Sequence, residues 1–289
     1  MSSKGRYLRI ILSIALAILV LLAAVAPLLS HRALRDYTDP KGPLYAGSYA
    51  DEAGKFDGSL RVVTWNMFYG NKLEQAIETL AEAPELRDAD ILLFQEIDAA
   101  GVETIAQRLH YNYVFYPTIL DHHRRIEYGD AILAKWPLSN PTKIVLPVFI
   151  PGWLESRSST SATITIGGKE ILAYSTHLDI TWMIFMRGES QAEFLSRSAG
   201  KNDNFMILGG DFNTWIPISI AILDKEMGKI GLERLSRGAG YTFEWAGLKF
   251  ILDHIYSKPV PENRSGVYRQ TNASDHYPVW AEISIGKEK

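Results

Sequence analysis

The spacing of hydrophobic positions changes repeatedly along this chain. Residues 60–65 form a β-rich run, and Leu73, Ala76, Ile77 and Leu80 then fall on one face of a helix. Asn71 can cap that helix, with Glu74 three residues later. Residues 90–94 are a second apolar run, ending in Gln95-Glu96. Residues 99–110 have helical spacing, and an aromatic stretch fills 111–116. Strands are expected at 131–134, 143–148, 158–166 and 171–175, followed by a helix at about 188–199 closed by Gly200. The last strands are expected at 205–208, 250–256 and 279–285. Alternation of this kind defines an α/β or α+β domain. The strand runs between 131 and 175 have no helix between them, which implies antiparallel pairing and argues against a purely parallel sheet. Two packed sheets with helices outside would bury the runs.

The N-terminus differs from everything after it. Lys4, Arg6 and Arg9 precede residues 10–29, a run without charge that is interrupted only by Ser13 and Pro27. At 1.5 Å per residue, such a helix matches the ~30 Å hydrocarbon core of a bilayer. Residues 1–30 are therefore read as an uncleaved membrane anchor. A cleaved signal peptide is the rival reading, since Ala24-Val25-Ala26 resembles an A-x-A site. Against it, the run exceeds a usual signal core and Pro27 would follow the cut. Either way the bulk of the chain is expected outside the cytoplasm: single-pass in the cell membrane and periplasmic in a bacterium, or else secreted. Residues 31–58 are rich in Pro, Gly and small polar residues and read as a linker. The folded domain is expected at 59–286.

Setting the N-terminus aside changes the charge picture. Residues 1–35 hold five of the 30 basic residues and none of the 33 acidic ones, so the remainder carries 25 basic against 33 acidic, a net −8. That balance argues mildly against non-specific nucleic-acid binding, which counterion release from phosphates drives. The chain has no cysteine, which excludes thiol catalysis, disulfides and thiolate metal sites. Any metal must sit on oxygen or imidazole ligands, favouring Mg²⁺, Mn²⁺ or Ca²⁺.

Polar residues recur where the apolar runs end. VVTWN ends at Asn66 and ILLFQE at Glu96; ILAYSTHLD presents His177 and Asp179; ILGGDFNT presents Asp211 and Asn213. FILDH presents Asp253 and His254, and TNASDH presents Asp275 and His276. Singly, Asn66 and Asn213 are ordinary turn formers, and His254 reads as a packed histidine. Jointly they point to a site, because ligands gather at strand ends in layered α/β folds.

In order, TWNM, QEID, GDAIL, STHLD, GGDFN, LDHI and SDHYPV resemble the exonuclease–endonuclease–phosphatase superfamily across residues 59–286. The resemblance implies a four-layered α/β sandwich of two mixed, largely antiparallel sheets, a divalent-metal site and hydrolysis of a phosphate ester. It implies Glu96 as principal Mg²⁺ ligand with Asn66 beside it and Asp275 in support. It further implies that Asp211 handles the attacking water and Asn213 holds the phosphoryl oxygens. His276 contacts the phosphate or acts as a base, Asp253 fixes its ring, and His177 donates to a phosphate or leaving oxygen. Arg157 is expected to point toward the site. Asp130 stands where many relatives have Asn; it is read as a substrate-site residue that pairs with His177 or adds a negative charge tuning metal binding, or as a plain strand-start residue.

For the substrate, residues 148–154 and 180–186 are apolar, and the second stretch follows His177 and Asp179 directly. Either they are core, or they form an active-site rim that dips into a membrane. With an anchor, the rim reading favours a phospholipid or lipid-linked phosphate. A periplasmic or secreted nuclease is the alternative, and a non-catalytic binding module the third. The basic cluster His122-His123-Arg124-Arg125 is a candidate contact for an extra phosphate or a lipid surface.

Overall fold

The computed structural model describes residues 12–18, 20–21, 33–51, 56–147, 155–180, 190–200, 205–258 and 263–284. Residues 12–18 and 20–21 are helical. Among the described residues no helix is long and apolar enough to cross a membrane; most of the expected anchor, and both apolar stretches apart from residue 180, lie outside them.

In chain order the domain comprises β1 (Ala33–Asp36), β2 (Tyr45–Ser48), β3 (Ser59–Asn66), α1 (Leu73–Glu82), β4 (Ile91–Ile97), α2 (Ala99–Leu109), β5 (Asn112–Asp121) and β6 (Glu127–Ala134). Next come β7 (Leu138–Val145), β8 (Ser158–Ile166), β9 (Lys169–His177), α3 (Gln191–Ala199), β10 (Phe205–Asp211) and α4 (Pro217–Gly228). The last elements are β11 (Glu233–Arg234), β12 (Phe243–Trp245), β13 (Leu248–Phe250), β14 (Asp253–Lys258), β15 (Asn263–Val267) and β16 (Val279–Ser284). One sheet runs β1-β5-β6-β4-β3-β16-β15, with β2 also pairing β5; the other runs β11-β14-β10-β9-β8-β7. Among the described residues only β3–β4 and β9–β10 are parallel pairs, so both sheets are mixed and largely antiparallel.

Alternation along the strands sorts the core into three apolar layers. Leu60, Val62, Ile91, Leu93 and Ile132 of the first sheet meet Ala162, Ile164, Ala173, Ile207 and Ile255 of the second. On the outer faces, Ile77 and Leu80 of α1 and Val102 and Ile105 of α2 cover the first sheet. Leu195 of α3 and Leu223 and Met227 of α4 cover the second.

Local chemistry sets the helix ends. Asp98 accepts from the Gly101 amide at 2.7 Å to start α2, and Ser190 accepts from Glu193 at 3.1 Å to start α3. Gly200 ends α3 at φ 71°, a conformation cheap only for glycine. Asn71 does not cap α1. Lys72 occupies the cap position without a side-chain bond, while Asn71 donates to the Phe68 carbonyl. Helix α4, which starts on Pro217, has no counterpart in the hydrophobic pattern because its apolar residues are not confined to one face.

Two further expectations need correction. Segment 31–58 is not a plain linker: β1 and β2 add to β5, with Ala33 opposite Asp121 and Tyr45 opposite Phe115. Pro40, Gly42 and Pro43 lie between the two strands and Gly47 sits inside β2, which hid them. Nor do Gly209 and Gly210 end a strand. Strand β10 continues through both to Asp211, pairing with β9 and β14 all the way. A Cβ on Gly209 would stand 2.7 Å from Leu93 in the facing sheet, and one on Gly210 would overlap the Thr176 carbonyl. These glycines admit neighbouring protein, not substrate.

Candidate active site

Pairing brings the polar strand ends to one pole of the sandwich. Asn66 is opposite Gln95, Asp211 lies opposite both His177 and Asp253, and β16 starts opposite Thr64. The C-terminal ends of β3, β4, β9 and β10 thus converge with the N-terminal ends of β6, β14 and β16.

Backbone irregularity aims several of these side chains. Gln95 points between the sheets, donating to Ser175 Oγ at 2.8 Å, whereas Ile97 joins the outer core. Residues two apart face opposite sides because the β4–β6 register slips between Phe94 and Ile97. The displaced residue is Glu96, at φ 50°. Asn213 is also left-handed, at φ 49°, as are Phe68 and Tyr69 just after Asn66. Such backbones persist where the surroundings over-determine them, as at ligand sites.

The centre is a chain of buried acids and imidazoles. Asp253 Oδ2 accepts from His276 Nδ1 at 2.9 Å, and His276 Nε2 faces Asp211 Oδ2 at 3.7 Å. Asp211 also accepts from Asn66 Nδ2 at 3.0 Å and from the Asn213 amide at 2.9 Å, with His177 Nε2 at 3.5 Å. On its other side, His177 Nδ1 lies 3.8 Å from Glu96. Asn213 Nδ2 donates to the Leu178 carbonyl at 2.8 Å and sits 3.2 Å from His177 Nε2. Trp215 Nε1 fixes the Asn213 oxygen at 2.9 Å.

Burial and charge pull these groups apart in acidity. Burial raises the Glu96 carboxyl despite the nearby Arg157 guanidinium, and it raises Asp211 as well. It lowers His177 well below the usual imidazole range, helped by Arg157 and His276. Burial also opposes the charged form of His276, but Asp253, Asp211 and Asp275 outweigh it and lift that histidine to about 10. Asp275 itself is raised, chiefly by burial.

Every residue expected at the site lies at this pole, but not in every expected contact. Asp130 lies inside β6 rather than at its start, and its carboxylate accepts from Ser158 Oγ at 3.0 Å rather than pairing with His177. Burial raises it well above the carboxylate range. Arg157 and Asp130 line a narrow pocket with Glu96, His177, Tyr69 and Tyr128. His254 is a packed residue: its Nε2 lies 2.8 Å from Thr214 Oγ1, its Nδ1 has no partner, and burial drops its pKa to about 3. The basic cluster forms the exposed β5–β6 turn at the same pole, where Arg124 sits 4.8 Å over the Tyr69 ring.

Supporting residues went unread in the sequence. Thr242 Oγ1 accepts from the amides of Leu252 and Asp253 at 2.9 and 3.1 Å. Ser274 Oγ donates to the Asn66 carbonyl at 2.7 Å and accepts from the His276 amide at 3.1 Å. Ser274, two residues before His276, carries a local turn signal; Thr242, ten residues from its partner, carries none.

For a metal, Asp211, Asp253 and His276 offer ligand atoms within 4.8 Å of one another. Asp253 Oδ1 is buried without a hydrogen-bond partner, a deficit that a cation would fill. Glu96 and Asp275 add carboxylate oxygens whose ionised forms burial disfavours, and a cation would restore them. The carboxylates are hard oxygen donors and fit a divalent ion, while His276 in its imidazolium form has no lone pair to give. In Asn66 the amide is already engaged, bridging Asp211 and the Phe68 amide.

Residues 63–276 match the family model described as the endonuclease/exonuclease/phosphatase family. No curated protein matches the chain. Among solved structures it is similar to an endonuclease/exonuclease/phosphatase family protein from Leptotrichia buccalis, with a TM-score of 0.63 and 18% identity over 78% of this chain and 99% of that one. A Bacteroides thetaiotaomicron family protein gives 0.62 and 21% over 80% and 99%. Truncated TDP2 from Caenorhabditis elegans gives 0.54 and 18% over 78% and 97%. At these identities the neighbours establish the fold, and the family match establishes membership: this chain belongs to the endonuclease/exonuclease/phosphatase family of metal-dependent phosphoesterases.

Proposed function

We propose that the chain is a membrane-anchored, extracytoplasmic, Mg²⁺-dependent phosphoesterase acting on a phospholipid or lipid-linked phosphate. The observation that carries the hydrolytic part is the buried Asp253–His276–Asp211 line beside Glu96 and Asn213. The anchor rests on the uncharged run at 10–29.

Glu96 and Asp275, with Asp211 and Asp253 adjoining, would hold the divalent ion, which when bound neutralises phosphate charge as a Lewis acid. Asp253 fixes the His276 ring through Nδ1, so its Nε2–H points at the space beside Asp211. The His276 imidazolium then faces the anionic phosphoryl group. Water attacks phosphorus and the ester P–O bond breaks, the leaving oxygen departing with the bonding pair. The water proton passes to Asp211, which burial has made more basic than an ordinary carboxylate. Asn213 and neutral His177 hold non-bridging or leaving oxygens as their charge grows, and Arg157 adds a fixed positive charge beside them. Burial disfavours the charged form of Asp130, which is bonded to Ser158, and so weakens any charge it would set against the phosphate.

The test is release of nitrophenol from bis(p-nitrophenyl) phosphate by the full-length protein with Mg²⁺, Mn²⁺ or Ca²⁺. His276→Ala is expected to lower kcat by roughly 10²–10⁴-fold, and a chelator to remove the activity. Wild type and variant equally inactive with every metal would overturn the assignment of these roles.

A further inference from the structure

The two poles of the sandwich differ in what they expose, and the difference bears on where the substrate lies. Ten large hydrophobic side chains beyond residue 33 are exposed among the described residues, and seven of them sit on loops, the β12–β13 hairpin tip or the first turn of α4 at the catalytic pole. The foremost are Trp245 at 64%, Ile218 and Leu248 at 57%, and Ile180 at 52%. Trp245 and Leu248 are paired across the tip of the β12–β13 hairpin. That hairpin is tied to the site, because Phe243 bridges His276 and packs 4.8 Å from its ring. Ile216 and Ile218 stand at the start of α4, just after Asn213. Loops of the opposite pole expose none of these ten. Scattered apolar residues need no explanation; a set confined to the rim of one cleft does.

The way the chain reaches the domain identifies what covers them. Its uncharged run ends at Leu29, and Ala33 begins β1 opposite Asp121, at the end of β5 that lies at the catalytic pole. Four residue steps span at most ~14 Å. A run embedded in a bilayer therefore delivers the domain with its catalytic pole against that bilayer. Charge agrees: Arg124 and Arg125 in the β5–β6 turn and Arg35 in β1 are exposed on this side, although the domain is acidic as a whole. Cations on the same pole as an exposed tryptophan suit the headgroup region of an anionic membrane.

We infer that the catalytic pole is a bilayer-docking surface. The Trp245–Leu248 hairpin tip and the first turn of α4 rest in the interface and hold the cleft open onto lipid headgroups. This deepens the membrane-anchored phosphoesterase reading and rests on it for the anchor and for the headgroup substrate.

The absence of cysteine makes the test direct. Leu248→Cys and, at the opposite pole, Asp88→Cys each give the full-length protein a single thiol for an environment-sensitive fluorophore. The labelled proteins are reconstituted in nanodiscs of brominated phosphatidylcholine with phosphatidylglycerol. Quenching at position 248 should exceed that at 88 at least roughly threefold, and should persist in the His276→Ala background. Equal or reversed quenching overturns the docking surface and leaves the apolar tips to a protein or nucleic-acid partner. Because this readout needs no turnover, its failure is distinct from a failure of the hydrolase reading. A second measurement uses Trp245→Ser with Leu248→Ser. Hydrolysis of phosphatidylglycerol in the nanodiscs should fall about tenfold while the soluble aryl diester is hydrolysed within about twofold of wild type. Equal losses on both substrates would overturn the docking role.

Discussion

The two ends of this sandwich are built from the same strands and use charge in opposite ways. At the catalytic pole Asp211, Asp253 and His276 are almost wholly buried, and they are ringed by exposed apolar loop tips. At the other pole lies a cleft of about 550 Å³ lined by Arg61, Arg87, Lys135, Asp57, Asp88 and Glu282. There the charges pair where water can reach them: Arg61 with Glu282 at 3.2 Å and Lys135 with Asp88 at 3.3 Å. Pairs that water can reach contribute modestly to stability, and here the arginines Arg264 and Arg61 hold the Glu282 carboxyl in its charged form. Buried, unequally partnered charges shift acidity strongly, and a reactive site needs that. Location along a strand therefore says less than burial about what a charged residue does.

Exchanging damage between the poles should separate activity from stability most sharply. Asp253→Asn is expected to lower turnover by roughly 10²–10⁴-fold through loss of the oriented imidazolium, with the fold retained. Arg61→Ala should leave turnover unchanged. It should lower stability by about 1–3 kcal/mol, because its guanidinium bonds the carbonyls of Pro84 and Arg87 at 3.1 and 2.7 Å as well as Glu282. Steady-state kinetics and urea unfolding on the same preparations decide. A slow Arg61→Ala enzyme of normal stability would break the division.

A pH experiment probes the packed histidine next to Asp253 in the chain. Thr214 donates to the Ile251 carbonyl at 2.5 Å, so it accepts from His254 Nε2–H, and a proton on Nδ1 would find no acceptor. The folded pKa of about 3 lies below the unfolded value, so the unfolded state binds more protons between about pH 6.5 and 3. The contribution of His254 to stability is therefore present above that window and is lost as pH falls through it, at about 1.4 kcal/mol per unit. His254→Asn keeps a donor to Thr214 and should flatten that limb relative to wild type in urea melts at pH 7, 5 and 4. Parallel limbs would mean that the ring takes up its proton at little cost in the fold.

The smallest effect concerns Asp130. With burial holding its carboxyl well above the ordinary range, it already resembles an amide. Asp130→Asn should keep the Ser158 bond and change kcat/KM by less than roughly threefold. A large loss would make Asp130 an ionised member of the site and extend the buried-charge pole by one residue.

Most of the fold was legible because its signals are local. Strand β8 coincides with its expected range, and α2 ends within a residue of its own, since periodicity and end residues sit on the segment they define. The candidate acids and histidines were legible for a related reason: polar residues closing apolar runs conflict with burial unless something pays attention to their charge, and the motif order marked the same positions. Strands β1 and β2 were not legible, because only β5 makes them strands. The two glycines of β10 read as a strand end, but Leu93 and Thr176 explain them, and neither is near in sequence.

By itself, then, the sequence determined the alternation of elements, the hard-donor chemistry and the apolar run at the N-terminus, all properties of neighbouring residues. Tertiary structure decided the rest. It turned Glu96 into the cleft by slipping a register, set Asp130 on Ser158, and brought Ala33 to the same pole as a hairpin tip more than two hundred residues away. Those outcomes depend on which strands pair and which groups lose water together, and both are fixed only when the chain closes on itself.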